Sequence, residues 1–184
     1  YNYEKCAIEM YGDLIQYRKF DTEEALLASF HKFWCENRPD IVTGWNSRFF
    51  DIPYLINRIA RIGSAEAVRR LSPWNMVNER NTEITGRTQY GYEIVGVQQA
   101  DYLELFKKFG YSYGAQESYK LDHIAHVVLG EKKLSYEEHG NLYTLYKEDH
   151  QKFIDYNIKD VQPVNCIEEK MGLITLALTI AYKG

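Results

Sequence analysis

The sequence predicts an α/β fold. Helical periodicity of apolar residues recurs along the chain, a short buried-strand candidate lies at Ile41-Val42-Thr43-Gly44-Trp45, and two strand-like segments flank a polar stretch with a glycine at each end. At 184 residues, 45% hydrophobic and 26% charged, the chain is long enough for one domain with a real core. Disorder, collagen and a disulfide-stapled miniprotein are excluded. The net charge of −4 argues against a wholly basic coat for nucleic acid but leaves room for a local basic groove.

The elements follow in order. Residues 1–20 alternate around Gly12-Asp13 and read as a hairpin. Asp21-Thr22-Glu23-Glu24 opens a helix, with Asp21 and Glu24 as a capping box and Leu26, Leu27, Phe30, Phe33 and Trp34 as its apolar face. Asn37-Arg38-Pro39-Asp40 ends it. After the strand at 41–45, a helix from about Pro53 carries Ile52, Leu55, Ile56, Ile59 and Ile62 on one face, with the proline at its first position. Residues 64–71 form a short helix stopped near Pro73.

Residues 77–97 read as an extended hairpin with Gly86-Arg87-Thr88-Gln89-Tyr90-Gly91 as its tip. Helices are expected at 102–109, at 121–129 with Gly130 as C-terminal cap, and at 142–159. Pro163 is tolerated only in a first turn, so the long helical pattern is expected to break near Asp160 and restart, reaching about Tyr182.

Three cysteines (Cys6, Cys35, Cys166), far apart and odd in number, give no disulfide framework or zinc spacing and suggest a reducing, intracellular setting. No apolar run reaches the ~18 residues of a membrane span, so no membrane partner is expected. Beginning at Tyr1 without a leader, the chain reads as a piece of something longer. Sixteen of its residues are tyrosine; such rings serve as half-buried core or stack on bases.

Two segments carry chemistry. Asn46-Ser47-Arg48-Phe49-Phe50-Asp51 sets an amide, an aromatic and a carboxylate between a strand end and a helix start, where α/β folds gather ligand contacts. Asp51 at that point also suits a helix cap. Tyr156-Asn157-Ile158-Lys159-Asp160 puts a phenol and a carboxylate four apart on one helical face. Such a pair can hold a divalent metal and orient a water, or equally be a capping Asp beside a packed Tyr.

Together these segments resemble the second and third exonuclease motifs of family B DNA polymerases. N-x-x-x-F-D is matched by Asn46, Phe50 and Asp51, and Y-x-x-x-D by Tyr156 and Asp160. Thr43-Gly44-Trp45-Asn46, Phe50-Asp51-Ile52-Pro53-Tyr54, Asp101-Tyr102, Lys107-Lys108-Phe109 and Tyr156-Asn157-Ile158 are similar to the T4-type phage branch, from about Tyr17 to Gly184.

The resemblance implies a 3′→5′ proofreading exonuclease domain of ribonuclease H-like fold (a mixed sheet flanked by helices), cut from a replicative polymerase. Two Mg²⁺ (or Mn²⁺) ions held by four carboxylates would hydrolyse the 3′-terminal nucleotide. On this resemblance Asp51 and Asp160 are metal ligands, and Tyr156 places the attacking water. Asn46 and Phe50 touch the terminal nucleotides, and Lys133 lies near the scissile phosphate. The 77–97 hairpin, with Arg87 and Tyr90, helps pass the primer end between sites. The partners implied are a single-stranded 3′ end and the polymerase domain of the same parent chain, toward which a last helix at about 160–182 would lead. The setting implied is the bacterial cytoplasm.

The family's first motif, D-x-E on a strand, has no match. Asp21-Thr22-Glu23 opens a helix, and Ala7-Ile8-Glu9 has alanine where aspartate is needed. With two of four carboxylates the chain is expected to be inactive by itself, and a sheet lacking its first strands would expose an edge that favours a homodimer. The alternative is a non-catalytic module of the same fold that binds single-stranded DNA or braces a partner, with Tyr90, Phe50, Arg87 and Lys107-Lys108 as contacts. No glycine-rich phosphate loop, nucleophile elbow or HExxH supports a metabolic enzyme.

Overall fold

A computed structural model of the chain describes residues 16–84, 86–130 and 142–183. The α/β expectation holds. The chain divides into two compact units, one of residues 19–112 and 173–184, the other of 1–18 and 113–172. The hairpin expected at the N-terminus falls on residues 1–15, and Lys133 on 131–141, outside the described residues.

In the first unit, helix α1 (Glu23–Asn37) is capped by Thr22, whose hydroxyl accepts the Ala25 N–H at 3.2 Å. The capping box on Asp21 is thereby corrected by one position. With Thr22 as cap, the third helical residue is Ala25, so Glu24 is out of place for the reciprocal bond. Trp34 is buried and donates its indole N–H to the Leu71 carbonyl at 2.8 Å, and Leu27 and Phe30 pack beside it. Leu26 and Phe33, expected on the same buried face, are exposed, so the buried stripe is narrower than the sequence pattern.

Strand β1 (Ile41–Gly44) leads into helix α2 (Asp51–Ile62), which buries Ile52, Ile56 and Ile59 against Trp34 and Leu71. Pro53 is the third helical residue, not the first, and still lies in the turn whose N–H groups have no helical acceptor. Short helix α3 (Ala65–Arg69) follows, capped by the Ser64 hydroxyl. Arg58 of α2 forms a two-pronged ion pair with Glu23 of α1, which holds the Glu23 carboxyl below its usual pKa.

Strands β2 (Val77–Ile84) and β3 (Arg87–Ile94) form the hairpin, antiparallel, with Val77 opposite Ile94 and Ile84 opposite Arg87. Pairing therefore runs on to Ile84 and Arg87, next to Gly86. Arg87 through Gly91, read from sequence as the polar tip, belong to β3 because cross-strand pairing continues to the glycine turn. Strand β4 (Gln98–Asp101) returns parallel to β1, with Ile41 opposite Gln98 and Gly44 opposite Asp101. Helix α4 (Tyr102–Phe109) starts at once, burying Tyr102 and Phe106. The strands among the described residues thus form two separate two-stranded sheets, one parallel and one antiparallel.

In the second unit, helix α5 (Leu121–Leu129) and helix α6 (Leu142–Glu148) pack with helix α7 (His150–Met171), burying Ile124, Val128, Leu145 and Ile167. The break expected near Asp160 does not occur. Asp149 caps α7 by accepting the Lys152 N–H at 2.9 Å, and the helix runs through Pro163 to Gly172. The missing Pro163 N–H costs one bond to the carbonyl four residues back, which a 22-residue packed helix tolerates. The break falls at Gly172, after which helix α8 (Leu173–Lys183) belongs to the first unit. Among the described residues no helix is long and apolar enough to cross a membrane, and no disulfide forms.

Candidate nucleotide and metal site

The site begins where two parallel strands end. Gly44 closes β1 and Asp101 closes β4 directly opposite, so the chain leaving β1 passes over the carboxylate that ends β4. Residues 45–50 make two turns before α2 begins. Asn46 takes a left-handed conformation (φ 63°), which asparagine tolerates better than most residues. The Phe50 N–H bonds the Asn46 carbonyl at 3.1 Å, and the Ile52 N–H bonds the Ser47 carbonyl at 2.9 Å. Trp45 folds inward against Tyr102 (ring centroids 6.4 Å apart) and Phe106 (6.1 Å).

Asp101 is the anchor of this turn. It is 2% exposed, and its carboxylate accepts N–H groups of Asn46 (3.2 Å), Arg48 (2.9 Å), Leu103 (3.0 Å) and Glu104 (3.4 Å). The last two make it the N-cap of α4. The sequence pairs Asp101 with Tyr102 in a matching stretch but gives it no part in the site. The available signal is an Asp placed between a strand and an amphipathic helix.

Asp51 is the first residue of α2, so it is not the cap. Phe50 holds that position without a side-chain bond. Asp51 is exposed, yet its carboxyl pKa is raised, first by partial burial and then by the charge of Asp101. Those effects outweigh the favourable helix N-terminus. A cation beside Asp51 would relieve both penalties at once, and a carboxylate oxygen is the donor type that Mg²⁺ takes. In that respect the residue fits a metal site. Among the described residues no three His, Cys, Asp or Glu side chains gather closely enough to hold a metal ion.

Phe50 (66% exposed) and Tyr54 (62%) flank Asp51 with open aromatic surface. Tyr54 stands one helical turn on, its N–H bonded to the Phe50 carbonyl at 3.0 Å. Tyr90 of the hairpin is also exposed and lines a hollow of about 320 Å³ with Pro53, Asn57 and Tyr92. The Tyr92 hydroxyl donates to the Asn57 side chain at 2.9 Å. Arg87 sits on β3 opposite Ile84. Lys107 and Lys108 are exposed in the last turn of α4.

Tyr156 and Asp160 lie in the second unit, on consecutive turns of the unbroken α7. Tyr156 is buried and Asp160 half-buried, and the mid-helix position of Asp160 rules out the capping role that its sequence context allows. Within Asp21-Thr22-Glu23, Thr22 caps α1 and Glu23, paired with Arg58, opens that helix, so the three letters sit at a helix start and not on a strand.

The profile of the exonuclease domain of DNA polymerase family B matches residues 2–124. The chain belongs to that family, as the resemblance implies. Among its relatives, the DNA-directed DNA polymerase of Escherichia phage RB69 is 38% identical over 170 residues, 92% of this chain. The DNA-directed DNA polymerase of Enterobacteria phage T4 is 35% identical over the same share. More distant is the DNA polymerase delta catalytic subunit of Oryza sativa subsp. japonica, 33% identical over 62% of this chain and 10% of the relative. The chain spans 18% of the length of the two phage polymerases.

Proposed function

We propose that this chain is the part of a proofreading DNA polymerase that receives the frayed 3′ end of a primer and hydrolyses its terminal nucleotide. The observation that carries the reading is the arrangement at the end of β1. A carboxylate whose ionisation is disfavoured by its surroundings opens a helix next in sequence to the exposed Phe50, with the exposed Tyr54 one turn on, just after a turn anchored to the neighbouring strand.

Phe50 stacks on the last base, as sequence-tolerant single-strand sites do, and Asn46 bonds the terminal nucleotide. Asp51 and Asp160 supply oxygen ligands to divalent metal, Mg²⁺ or Mn²⁺. When bound, a metal pair supplies the attacking hydroxide and steadies the leaving 3′ oxygen. Tyr156 orients the water, and Lys133 balances phosphate charge. Arg87 and Tyr90 guide the strand along the hairpin. The rest of the parent polymerase presents the primer. Two carboxylates are too few to hold a metal pair, so the 184-residue chain alone binds the 3′ end and does not cut it.

A non-catalytic binding module is the second reading, favoured by the exposed aromatic rings of Phe50, Tyr54 and Tyr90. The test is degradation of a 5′-labelled single-stranded oligonucleotide in Mg²⁺ or Mn²⁺, wild type beside Asp51→Ala. No laddering by the folded chain, with laddering restored in a longer chain that supplies the D-x-E motif, supports the proposal. Laddering by the chain alone that Asp51→Ala abolishes overturns its inactivity. A longer chain that binds without cutting leaves the module.

A further inference from the structure

We propose that Asp101 is a positioning residue for the 3′-terminal nucleotide, acting through the backbone of Asn46 and Arg48. The inference rests on the reading of Asn46–Asp51 as the nucleotide-contacting segment. Asp101 ends a different strand, 50 residues along the chain from Asp51, and its carboxylate is buried.

The division of labour within the carboxylate is specific. Oδ1 accepts Asn46, Leu103 and Glu104, so one oxygen serves both the α4 cap and the first turn after β1. Oδ2 accepts Arg48 alone among the bonds described, at 2.9 Å. The bonds to positions 46 and 48 straddle Ser47 and hold Asn46 in its left-handed conformation. That conformation sets the direction in which the Asn46 side chain leaves the turn, and the following turn sets the start of α2, hence Asp51. A helix cap needs only Oδ1. The second oxygen is committed to the turn, so the residue does more than cap α4.

Asparagine at 101 separates these tasks. It is a good N-cap and keeps one acceptor oxygen, so α4 is preserved. Its amide group then meets the Arg48 N–H donor to donor, which frees the Arg48 side of the turn and leaves Asn46 held from one side only, by Oδ1.

The experiment is a double-mutant cycle. Affinity for a short, fluorescently labelled single-stranded oligonucleotide with a free 3′-hydroxyl is measured for wild type, Asp101→Asn, Asn46→Ala and the double variant, without divalent metal. Each single substitution is expected to weaken binding about tenfold, and the double variant about tenfold as well, because both remove the same contact. Merely structural damage predicts losses that multiply to about a hundredfold. Multiplying losses, or Asp101→Asn binding like wild type while Asn46→Ala is impaired, overturns the inference and leaves the proposed function intact. A wild type that does not bind overturns both.

A second measurement needs no DNA. The amide-to-α proton coupling of Asn46 reports its φ, and Asp101→Ser serves where Asp101→Asn does not fold. Loss of the left-handed value in the variant supports the inference, and its retention overturns it.

Discussion

Gly44 and Asp101 end two parallel strands side by side, and that pairing decides how the site is built. Gly44 leaves the space into which the next turn folds back. A β-carbon there would lie 3.0 Å from that of Ser47 and 4.0 Å from a carboxylate oxygen of Asp51. Asp101 holds the same turn from the other strand by its bonds to Asn46 and Arg48. A small residue on one strand and a buried charge on the next together place the polar segment that carries Asp51.

Asp51→Asn should stabilise the folded chain at neutral pH. The native carboxyl has a raised pKa, so the protonated form is the favoured one in the fold. Its contribution is fully present below the unfolded carboxylate pKa and is lost as pH rises through the native value. The amide mimics the protonated form and avoids that loss. The expected gain is about 1–2 °C in Tm near pH 7, shrinking toward zero as pH is lowered through the carboxylate range. Thermal unfolding followed by circular dichroism across pH measures it, and a gain that grows on acidification would contradict the assignment.

Phe50→Ala should leave stability almost unchanged, since the ring is 66% exposed and no cap bond depends on it. Affinity for a single-stranded oligonucleotide should fall by about fivefold to a hundredfold, the range for losing one stacked base. Anisotropy titration beside a urea unfolding curve separates the two effects. Tyr54→Ala, one turn away, tests how far the aromatic surface extends.

Gly96→Ala should be among the more damaging single changes in the first unit. Gly96 has φ 90°, and an added β-carbon would approach the Trp74 ring to 2.4 Å and the Pro73 ring to 2.5 Å. Left-handed strain and overpacking together are expected to cost about 2–4 kcal/mol. Urea unfolding gives the loss, and the hairpin it anchors should show faster amide exchange.

Much of this architecture was legible in local pattern. The α2 face of Ile52, Ile56 and Ile59 repeats every three to four residues, and it is buried as read. Gly130 ends α5 in the left-handed conformation, as its place after an apolar run indicates. The misreadings each have a local cause. Competing caps lay one residue apart at Asp21 and Thr22, and only the backbone conformation decides between them. Pro163 suggested a break that the packing of Leu145, Tyr156 and Ile167 overrides. Asp101 was missed because its partners are backbone groups from residues 46 and 48, and peptide N–H donors leave no letter in a sequence.

The hairpin has a mechanical consequence. It is fastened near its base by the Tyr92–Asn57 bond and by the close approach of Gly91 to Arg48 and Phe49. Beyond Tyr92 the five outer residues of β3 lead to Gly86, six residues away, a reach of about 20 Å at strand spacing. It is a lever with its fulcrum beside the start of α2. A tilt of about 10° at that fulcrum carries the turn through about 3.5 Å over such an arm, close to the spacing of successive strand residues. On such an arm a slight change at the site would be magnified at the far end.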